Sequence, residues 1–362
     1  MSRPVIALAL VLATLTGCVG GLPPRVIYPS ITLDETVTED RTVTTRFVFE
    51  GRPVEFTLTV DGSLYAGASA ATKSVTRFGR ARENDWIEDY YPAFVNEPAQ
   101  EPFFADLLGA LRAVRDERGL DADRYAELLT VFAQSVAYRT DPVDLSPKFP
   151  VETFIEGEGD CDDKTLLLAA LLAREGYDVA ILLFEPEQHV SLGIRSETGG
   201  YAGTGYEFVE TTAPAFVGMV PDEFAGGVTL TSTPRVFRIG EGTRPFTAAD
   251  EVRAILEGRD RIIETALALA DELTAADAEL AALQEEVADA RSELESLQAA
   301  GDAAAYNALV APYNQLVDRY NAAAAARNDL AERYNKLTEL ERAIVEGLDD
   351  RAGTYALVAA AL

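Results

Sequence analysis

The feature that most constrains the fold is a seven-residue repeat in the last third of the 362-residue chain. Five positions spaced seven apart are each followed by Asn, and Leu recurs three residues after most of them. The five positions are Tyr306, Tyr313, Tyr320, Arg327 and Tyr334. A sustained apolar heptad keeps one face of a helix against a neighbouring helix. The repeat therefore predicts a long helix that packs along a second one.

The partner helix is predicted immediately before this repeat. Apolar residues recur at intervals of three and four from residue 248 onward, which is the spacing of a helix with one apolar face. Gly301 and Asp302 interrupt the pattern. Residues 248–347 are therefore expected to form a long antiparallel α-helical coiled-coil hairpin, with residues 348–362 as a C-terminal tail. Pro312 either kinks the second arm or marks its start.

The beginning of the chain has the pattern of an export signal. Arg3 precedes an apolar run over residues 5–15, which is too short to span a bilayer. The letters LTGC that end at Cys18 resemble a lipobox, the cleavage and lipidation signal of prokaryotic lipoproteins. Residues 1–17 are then a signal peptide, and Cys18 carries a lipid that anchors the exported protein to the outer face of the cell membrane. The alternative is an ordinary signal peptide followed by a chance Cys.

The composition excludes one class of function and suggests an environment. The chain has 60 Asp and Glu against 31 Lys and Arg, a formal charge of −29. Nucleic-acid binding needs a basic surface, so no nucleic-acid partner is expected. A strongly acidic surface stays soluble at high salt, where charge repulsion is screened, so a halophilic source is plausible.

Between the export signal and the heptads, the sequence predicts one mixed domain. Residues 18–30 are rich in Gly and Pro and serve as a tether, and residues 31–247 form the domain. Alternating apolar residues over 47–60 predict an N-terminal β-hairpin. Two amphipathic helices follow, and then apolar strands VAILLF (179–184), HVSLGIR and YEFVE.

Cys161 lies in the stretch GEGDCDDK, where a helix rich in Leu and Ala begins. Asp160 is placed to cap that helix, and Asp163 to complete a capping box. A helix N-terminus lowers the pKa of a thiol, but the adjacent carboxylates oppose a thiolate. Activation is therefore expected to come from an imidazole, and the chain has a single histidine, His189.

Glu210, at the end of a later predicted strand, could orient that imidazole. The alternative is that Cys161 is a small buried apolar residue and His189 a structural one. One His and one remaining thiol do not make a metal-ligand set, so neither a metal nor a cofactor is expected.

The stretch from Gly157 to Pro214 resembles the transglutaminase-like superfamily, in particular the prokaryotic transglutaminase-like cysteine proteinases. The family motif places Cys after Gly-Asp, His before a short apolar strand, and an acid in a Tyr-x-Val-acid-Thr strand. The resemblance implies Cys161 as nucleophile, His189 as base and Glu210 as orienting acid, with Glu in place of the commoner Asp. It also implies that Gln134 donates a hydrogen bond to the oxyanion. The alternative for Gln134 is a solvated polar residue near a helix end.

The expected architecture is α+β, with a papain-like core in which the Cys-bearing helix packs on an antiparallel sheet. The expected function is thiol acyl chemistry at the cell surface on a peptide, protein or Gln amide, with water or an amine as acceptor. The sequence leaves the acceptor open. The alternative function is that of a non-catalytic envelope adaptor that binds a protein partner through the coiled coil.

Overall fold

The computed structural model describes residues 25–78, 86–140, 146–222, 224 and 227–361. It is a mixed α and β structure with a long helical C-terminal region. The strands are β1 (Arg25–Ile27), β2 (Arg41–Phe49), β3 (Arg52–Val60), β4 (Thr76–Phe78), β5 (Ala137–Tyr138), β6 (Glu158–Gly159), β7 (Val179–Phe184), β8 (His189–Arg195), β9 (Tyr206–Val209) and β10 (Arg235–Ile239). The helices are α1 (Gly62–Ala70), α2 (Ile87–Val95), α3 (Glu101–Arg118), α4 (Ala122–Ser135), α5 (Pro150–Glu156), α6 (Cys161–Arg174), α7 (Ala249–Ala300), α8 (Ala303–Glu346) and α9 (Arg351–Ala361).

The central sheet has four antiparallel strands in the order β10-β7-β8-β9. All residues of β7 are buried, as expected for a continuous apolar strand with both faces covered. The three strands predicted from the sequence, β7, β8 and β9, are confirmed. Strand β10 is a fourth strand that the sequence analysis does not predict.

Helix α6 packs on one face of this sheet. Its residues 166–172 are buried in one cluster with Val190, Leu192 and Ile194 of β8. The other face of the sheet carries a separate aromatic cluster around Phe184 and Phe208. Alternate strand residues point to opposite faces, so His189 points away from the helix. The helix ends at Arg174, and Gly176, two residues later, adopts the left-handed region at φ 80° that commonly follows a helix C-terminus.

The N-terminal hairpin forms as predicted, with β2 and β3 paired from Arg41 and Val60 to Phe49 and Arg52. Glu50 and Gly51 make the turn with positive φ angles of 51° and 64°, the conformation that suits a two-residue hairpin turn. The Asp61–Gly62 pair, which the sequence suggests as a further turn, begins a helix instead. The Asp61 carboxylate caps α1 by accepting from the backbone N–H of Ser63 at 2.8 Å.

Helices α7 and α8 are joined at Gly301–Asp302 and run antiparallel against each other. Ion pairs connect them at Arg259–Glu341 (2.9 Å) and Arg327–Asp277 (2.8 Å). The Tyr and Leu positions of the heptads are half-buried, and the Asn that follows each heptad position is exposed. Pro312 lies inside α8, so it does not mark the start of that helix.

The C-terminal end of the chain forms a helix and docks on the mixed domain, where the sequence pattern predicts only a tail. Arg351, at the start of α9, is buried and donates to Glu127 of α4 and to Glu251 of α7. An apolar cluster extends this contact by joining residues of the mixed domain, α7, α8 and α9. Its buried members are Phe216, Val252, Ile255, Ile262, Ile344 and Val358. The base of the helical region therefore packs against the mixed domain through Phe216 and the buried Arg351 contact.

Candidate active site

Cys161 is the first residue of α6 and is fixed there by a capping box. The Asp160 carboxylate accepts from the backbone N–H of Asp162 at 3.1 Å and of Asp163 at 3.3 Å. The Asp163 carboxylate accepts from the backbone N–H of Asp160 at 3.2 Å. Gly159 makes room for this arrangement, since a Cβ there would lie 2.6 Å from the Asp163 Cβ. The predicted capping roles of Asp160 and Asp163 are confirmed.

The surroundings of the sulfur disfavour a thiolate in the free protein. Burial, followed by the charges of Asp162 and Asp160, raises the pKa of Cys161 well above its ordinary value. The thiol donates to Asp162 Oδ1 at 3.4 Å. The backbone N–H of Val190 contacts the sulfur and opposes the shift, but it does not overcome it. The lowered pKa that the helix N-terminus suggests is therefore not found, because the carboxylates and burial outweigh the helix dipole.

The flanking carboxylates are perturbed in the same direction. Burial, then the Asp160 charge, raises the pKa of Asp162 to about 7 and that of Asp163 to about 7. Tyr91 donates its hydroxyl to Asp162 at 3.5 Å. The backbone N–H of Lys148 donates to Asp163 at 2.6 Å. Near neutral pH, the raised pKa values keep the thiol protonated and the carboxyl groups of Asp162 and Asp163 partly protonated.

His189 is the first residue of β8 and is buried, with 7% of its surface exposed. Its ring centroid lies 4.7 Å from that of Phe224 and 6.3 Å from that of Phe184. Burial lowers the pKa of His189 to about 4, against a smaller opposing effect of Glu187. The imidazole is therefore neutral at pH 7, the form that can accept a proton.

Glu210 directly follows β9 and is almost fully buried, with 1% exposed. Its Oε1 accepts from the backbone N–H of Thr212 at 2.5 Å and from the hydroxyl of the same residue. Burial raises the pKa of Glu210, opposed by hydrogen bonds from Thr212 and Ala213 and by the charge of Lys164. The carboxyl is therefore anchored on one oxygen.

The first turns of α6 meet the start of β8 and the chain that leaves β9. The Thr165 hydroxyl lies 3.1 Å from the Thr211 hydroxyl and 3.5 Å from the Val190 carbonyl oxygen. Val190 also contacts the Cys161 sulfur through its N–H. The three sequence segments that carry the predicted triad therefore converge at the end of the sheet where β8 begins and β9 finishes.

The three side chains of that triad do not form a hydrogen-bonded chain. Within the described residues, His189 Nε2 and Glu210 Oε2 are buried and have no hydrogen-bond partner. No hydrogen bond among those residues joins the imidazole to Cys161 or to Glu210. Unpartnered buried polar atoms cost about 1–3 kcal/mol each, so two of them at the predicted site need an explanation.

Gln134, near the end of α4, is buried and acts on the backbone. Its amide nitrogen donates to the carbonyl oxygen of Glu210 at 2.8 Å and to that of Ala215 at 3.0 Å. These two bonds use both amide hydrogens and hold the segment after β9 against α4. An oxyanion role for Gln134 would require one of them to break.

Two neighbours of the site have surroundings that differ from what their residue types suggest, which is a surface role for Lys164 and a packing role for Tyr138. Lys164 is fully buried, and its ammonium donates to the carbonyl oxygens of Gln134 at 3.2 Å and Val136 at 2.5 Å. Burial lowers the pKa of Lys164 to about 8. Tyr138, which the sequence suggests as a packing residue, keeps 40% of its surface exposed. Its pKa is raised to about 12 by burial, then by the charges of Cys161 and the nearby carboxylates. The sequence feature that indicates the burial of Lys164 is its position directly before the Leu- and Ala-rich part of the helix.

One group of potential metal donors exists in the described residues. The donor atoms of Asp160, Cys161 and Asp162 lie within 4.8 Å of one another, and no fourth described His, Cys, Asp or Glu joins them. The same three residues form the helix cap and the candidate nucleophile.

The raised thiol pKa gives a prediction about labelling. Iodoacetamide reacts with the thiolate, so the labelling rate of Cys161 is expected to rise about tenfold per pH unit from pH 7 to pH 9 without a plateau. Asp162→Asn removes one opposing charge and should raise the rate at pH 8 several-fold. Mass spectrometry of the Cys161 peptide separates this thiol from Cys18. A plateau below pH 8 in the unchanged protein would contradict the charge argument.

None of the helices in the described part of the chain combines the length and apolar character needed to cross a membrane. Residues 1–24, which contain Cys18 and the predicted signal peptide, lie outside the described residues. Comparisons with protein-family models, with curated proteins and with solved structures found no match to this chain.

Proposed function

We propose that the protein is a thiol acyl-transfer enzyme of transglutaminase-like type that acts on a peptide or Gln amide. The observation that carries the proposal is the convergence of Cys161 with the segments of His189 and Glu210 at one end of the sheet, through the Val190 N–H and the Thr165 hydroxyl. We propose with it that α6 and the antiparallel sheet form a papain-like core.

The chemistry follows from the residue types. The Cys161 sulfur attacks the amide carbonyl, and its proton passes to the imidazole of His189. The proton then goes to the leaving amine as the C–N bond breaks, which leaves a thioester. Water or an amine displaces the thiol, and this choice separates a peptidase or amidase from a transglutaminase.

The proposal requires a movement of one side chain. His189 has to turn from the aromatic cluster toward the sulfur, which already contacts the next residue along β8. Such a turn would give Nε2 a partner and leave Nδ1 for an acid such as Glu210. The two unpartnered buried atoms support this reading, since each would gain a hydrogen bond.

The test is product analysis. The full chain is incubated with benzyloxycarbonyl-Gln-Gly and with Gln-containing peptides, with and without hydroxylamine as an amine acceptor. Hydroxamate formation supports acyl transfer to amines, and deamidation or chain cleavage supports acyl transfer to water. The absence of all three products across the salt range in which the chain is folded would overturn the proposal.

The location of the protein is a second proposal, carried by the LTGC sequence. Lipid on Cys18 would tether the enzyme to the outer face of the membrane through residues 18–30. We expect the unchanged protein to sediment with membranes and Cys18→Ser to be released or left unprocessed, because the thioether to the lipid cannot form. Detection of the unchanged protein wholly in the soluble fraction would contradict the anchor.

The second candidate function is partner binding through the helical arm that α7 and α8 form. We propose that α7 and α8 form a coiled coil, since their half-buried Tyr and Leu positions keep the seven-residue period. The exposed Asn residues form a row of amides along α8. Their positions are Asn307, Asn314, Asn321, Asn328 and Asn335. A non-catalytic adaptor would bind its partner through this coiled coil.

A further inference from the structure

An apolar surface lies where the described part of the chain begins. Strand β1 pairs antiparallel with β4, with Ile27 opposite Thr76. Because alternate residues of a strand share a face, Ile27, Thr76 and Phe78 lie on one face of this two-stranded sheet. Ile27 is 43% exposed and Phe78 is 53% exposed. The face of these three residues, called here the β1–β4 face, therefore presents two large apolar side chains to solvent.

A groove against α1 extends this face. Ile27 and Thr76 line the groove, and the ten described residues that line it are all Ile, Tyr, Ser, Thr, Ala or Gly. Leu33, which is 44% exposed, directly follows the lining residue Thr32. Charged residues make up 25% of the whole chain, so an uncharged stretch of this extent stands out. A membrane interface accepts apolar and hydroxyl side chains, whereas charges are costly to remove from water.

The β1–β4 face is held in place on the mixed domain. The hydroxyl of Tyr28 donates to Asp89 of α2 at 3.3 Å, and Ile31 is buried in the main core. Lys73 lies between two residues that line the groove, but its side chain is only 12% exposed and is paired with Glu152 at 2.9 Å. The surface is therefore a fixed part of the domain, and its nearest cation is already neutralised.

The proposed lipid anchor lies close to this surface along the chain. Cys18 precedes Arg25, the first residue of β1, by seven residues. Seven residues span at most about 25 Å even when fully extended. A lipid on Cys18 therefore keeps β1 within that distance of the bilayer. A short tether makes a second contact with the same membrane effectively intramolecular, so a small apolar surface is enough for docking.

We propose that the β1–β4 face and the adjoining groove dock on the lipid bilayer that carries the Cys18 anchor. The inference rests on the proposed anchor and not on the acyl-transfer function. Ile27 and Phe78 enter the boundary between headgroups and acyl chains, where apolar side chains are buried, and the Ser and Thr hydroxyls face the headgroups. The contact is apolar, as suits a chain of charge −29 that anionic lipids repel. Docking gives the mixed domain one orientation at the membrane.

The test places a single tryptophan in the proposed surface. Trp86 is the one tryptophan of the chain, and Trp86→Phe removes its signal while it keeps a ring beside Tyr90. Phe78→Trp in that background reports from the β1–β4 face. Leu267→Trp is the matched control, because it replaces an apolar residue of α7 that is 65% exposed. The full lipid-anchored chain is reconstituted into phosphatidylcholine vesicles with or without bromine on the acyl chains, which quenches tryptophan on contact.

We expect brominated lipid to quench the emission of Phe78→Trp by about half and that of Leu267→Trp by less than about a tenth. Adding Ile27→Ser should reduce the quenching of Phe78→Trp at least about twofold, because an apolar neighbour is lost. Leu357→Ser, at an exposed site on α9, should leave it unchanged. An increase in salt of about tenfold should also leave it unchanged, since screening acts on charges. Ile27→Trp is a second reporter if Phe78→Trp alters the fold.

The outcomes separate the surface from the anchor. A chain that floats with the vesicles while Phe78→Trp is quenched no more than Leu267→Trp overturns the inference and leaves the anchor standing. A chain that does not float overturns both. Loss of the quenching at high salt assigns the contact to charge and overturns apolar docking. An emission that ignores brominated lipid but shifts to the blue when the protein density on the vesicles rises about tenfold assigns the surface to a second copy of the chain, which also overturns the inference.

Discussion

Cys161→Ala is expected to abolish acyl transfer, with a loss of at least about 10³-fold, because the nucleophile cannot be replaced by its neighbours. His189→Ala should lose nearly as much, since nucleophile and base act as a unit. Glu210→Gln should lose less, because Gln keeps an acceptor for Thr212. The rates are measured on whichever amide the unchanged protein turns over.

Folding has to be monitored beside activity in this series. Ala is a strong helix former and smaller than Cys, so Cys161→Ala should melt close to the unchanged protein. Gln134→Ala is a useful contrast: it removes two backbone contacts of the segment after β9, so it should lower both activity and melting temperature. Full activity of Cys161→Ala would exclude this residue as the nucleophile.

The second large effect is expected far from the site, at the buried contact of α9. Arg351→Ala leaves Glu127 buried without its cation. Removing one partner of a buried ion pair costs about 3–5 kcal/mol of unfolding free energy. Chemical denaturation at constant high salt measures the loss. Arg351→Met/Glu127→Gln should recover part of it, because the unpaired charge is then gone.

An exposed ion pair provides the control for that experiment. Arg291 and Glu295 pair at 3.0 Å with both side chains largely exposed, and such pairs add little to stability. Arg291→Ala should therefore unfold close to the unchanged protein. If Arg351→Ala does so as well, the C-terminal helices are not coupled to the mixed domain as the buried contact implies.

Local structure around Cys161 was predictable because its causes are local. The capping acids lie within three residues of the helix start, and Gly176 lies two residues after its end. The strands over 179–184 and 189–195 have the predicted bounds because apolar continuity and alternation are properties of short segments. The same holds for the hairpin of β2 and β3.

What the sequence could not provide is the environment that distant segments create. Arg351 and Glu127 are 224 positions apart, so their pairing leaves no trace in any local pattern. The division at residue 247 implies a mixed domain that is stable alone, whereas Phe216 shares an apolar cluster with α7, α8 and α9. Deleting residues 249–362 is therefore expected to lower the cooperativity of unfolding.

The candidate site shows the same limit. Strand alternation places His189 on the face of β8 opposite the helix, but the aromatic cluster that it contacts there comes from other segments. The dipole of the first turn suggests an acidic thiol, whereas burial, a tertiary property, reverses the direction of the pKa shift. Lys164 is buried because the carbonyls at the end of α4 meet its ammonium.

Trapping the covalent intermediate tests the central claim most directly. A p-nitrophenyl ester of a Gln-containing peptide is mixed with the full chain, quenched in acid and mapped by mass spectrometry. The account predicts one acyl group on Cys161 in the unchanged protein, a slower-forming adduct in Glu210→Gln, and none at that position in Cys161→Ala. No acyl group on Cys161 at any pH or salt concentration at which the chain is folded would contradict a thiol acyl-transfer enzyme.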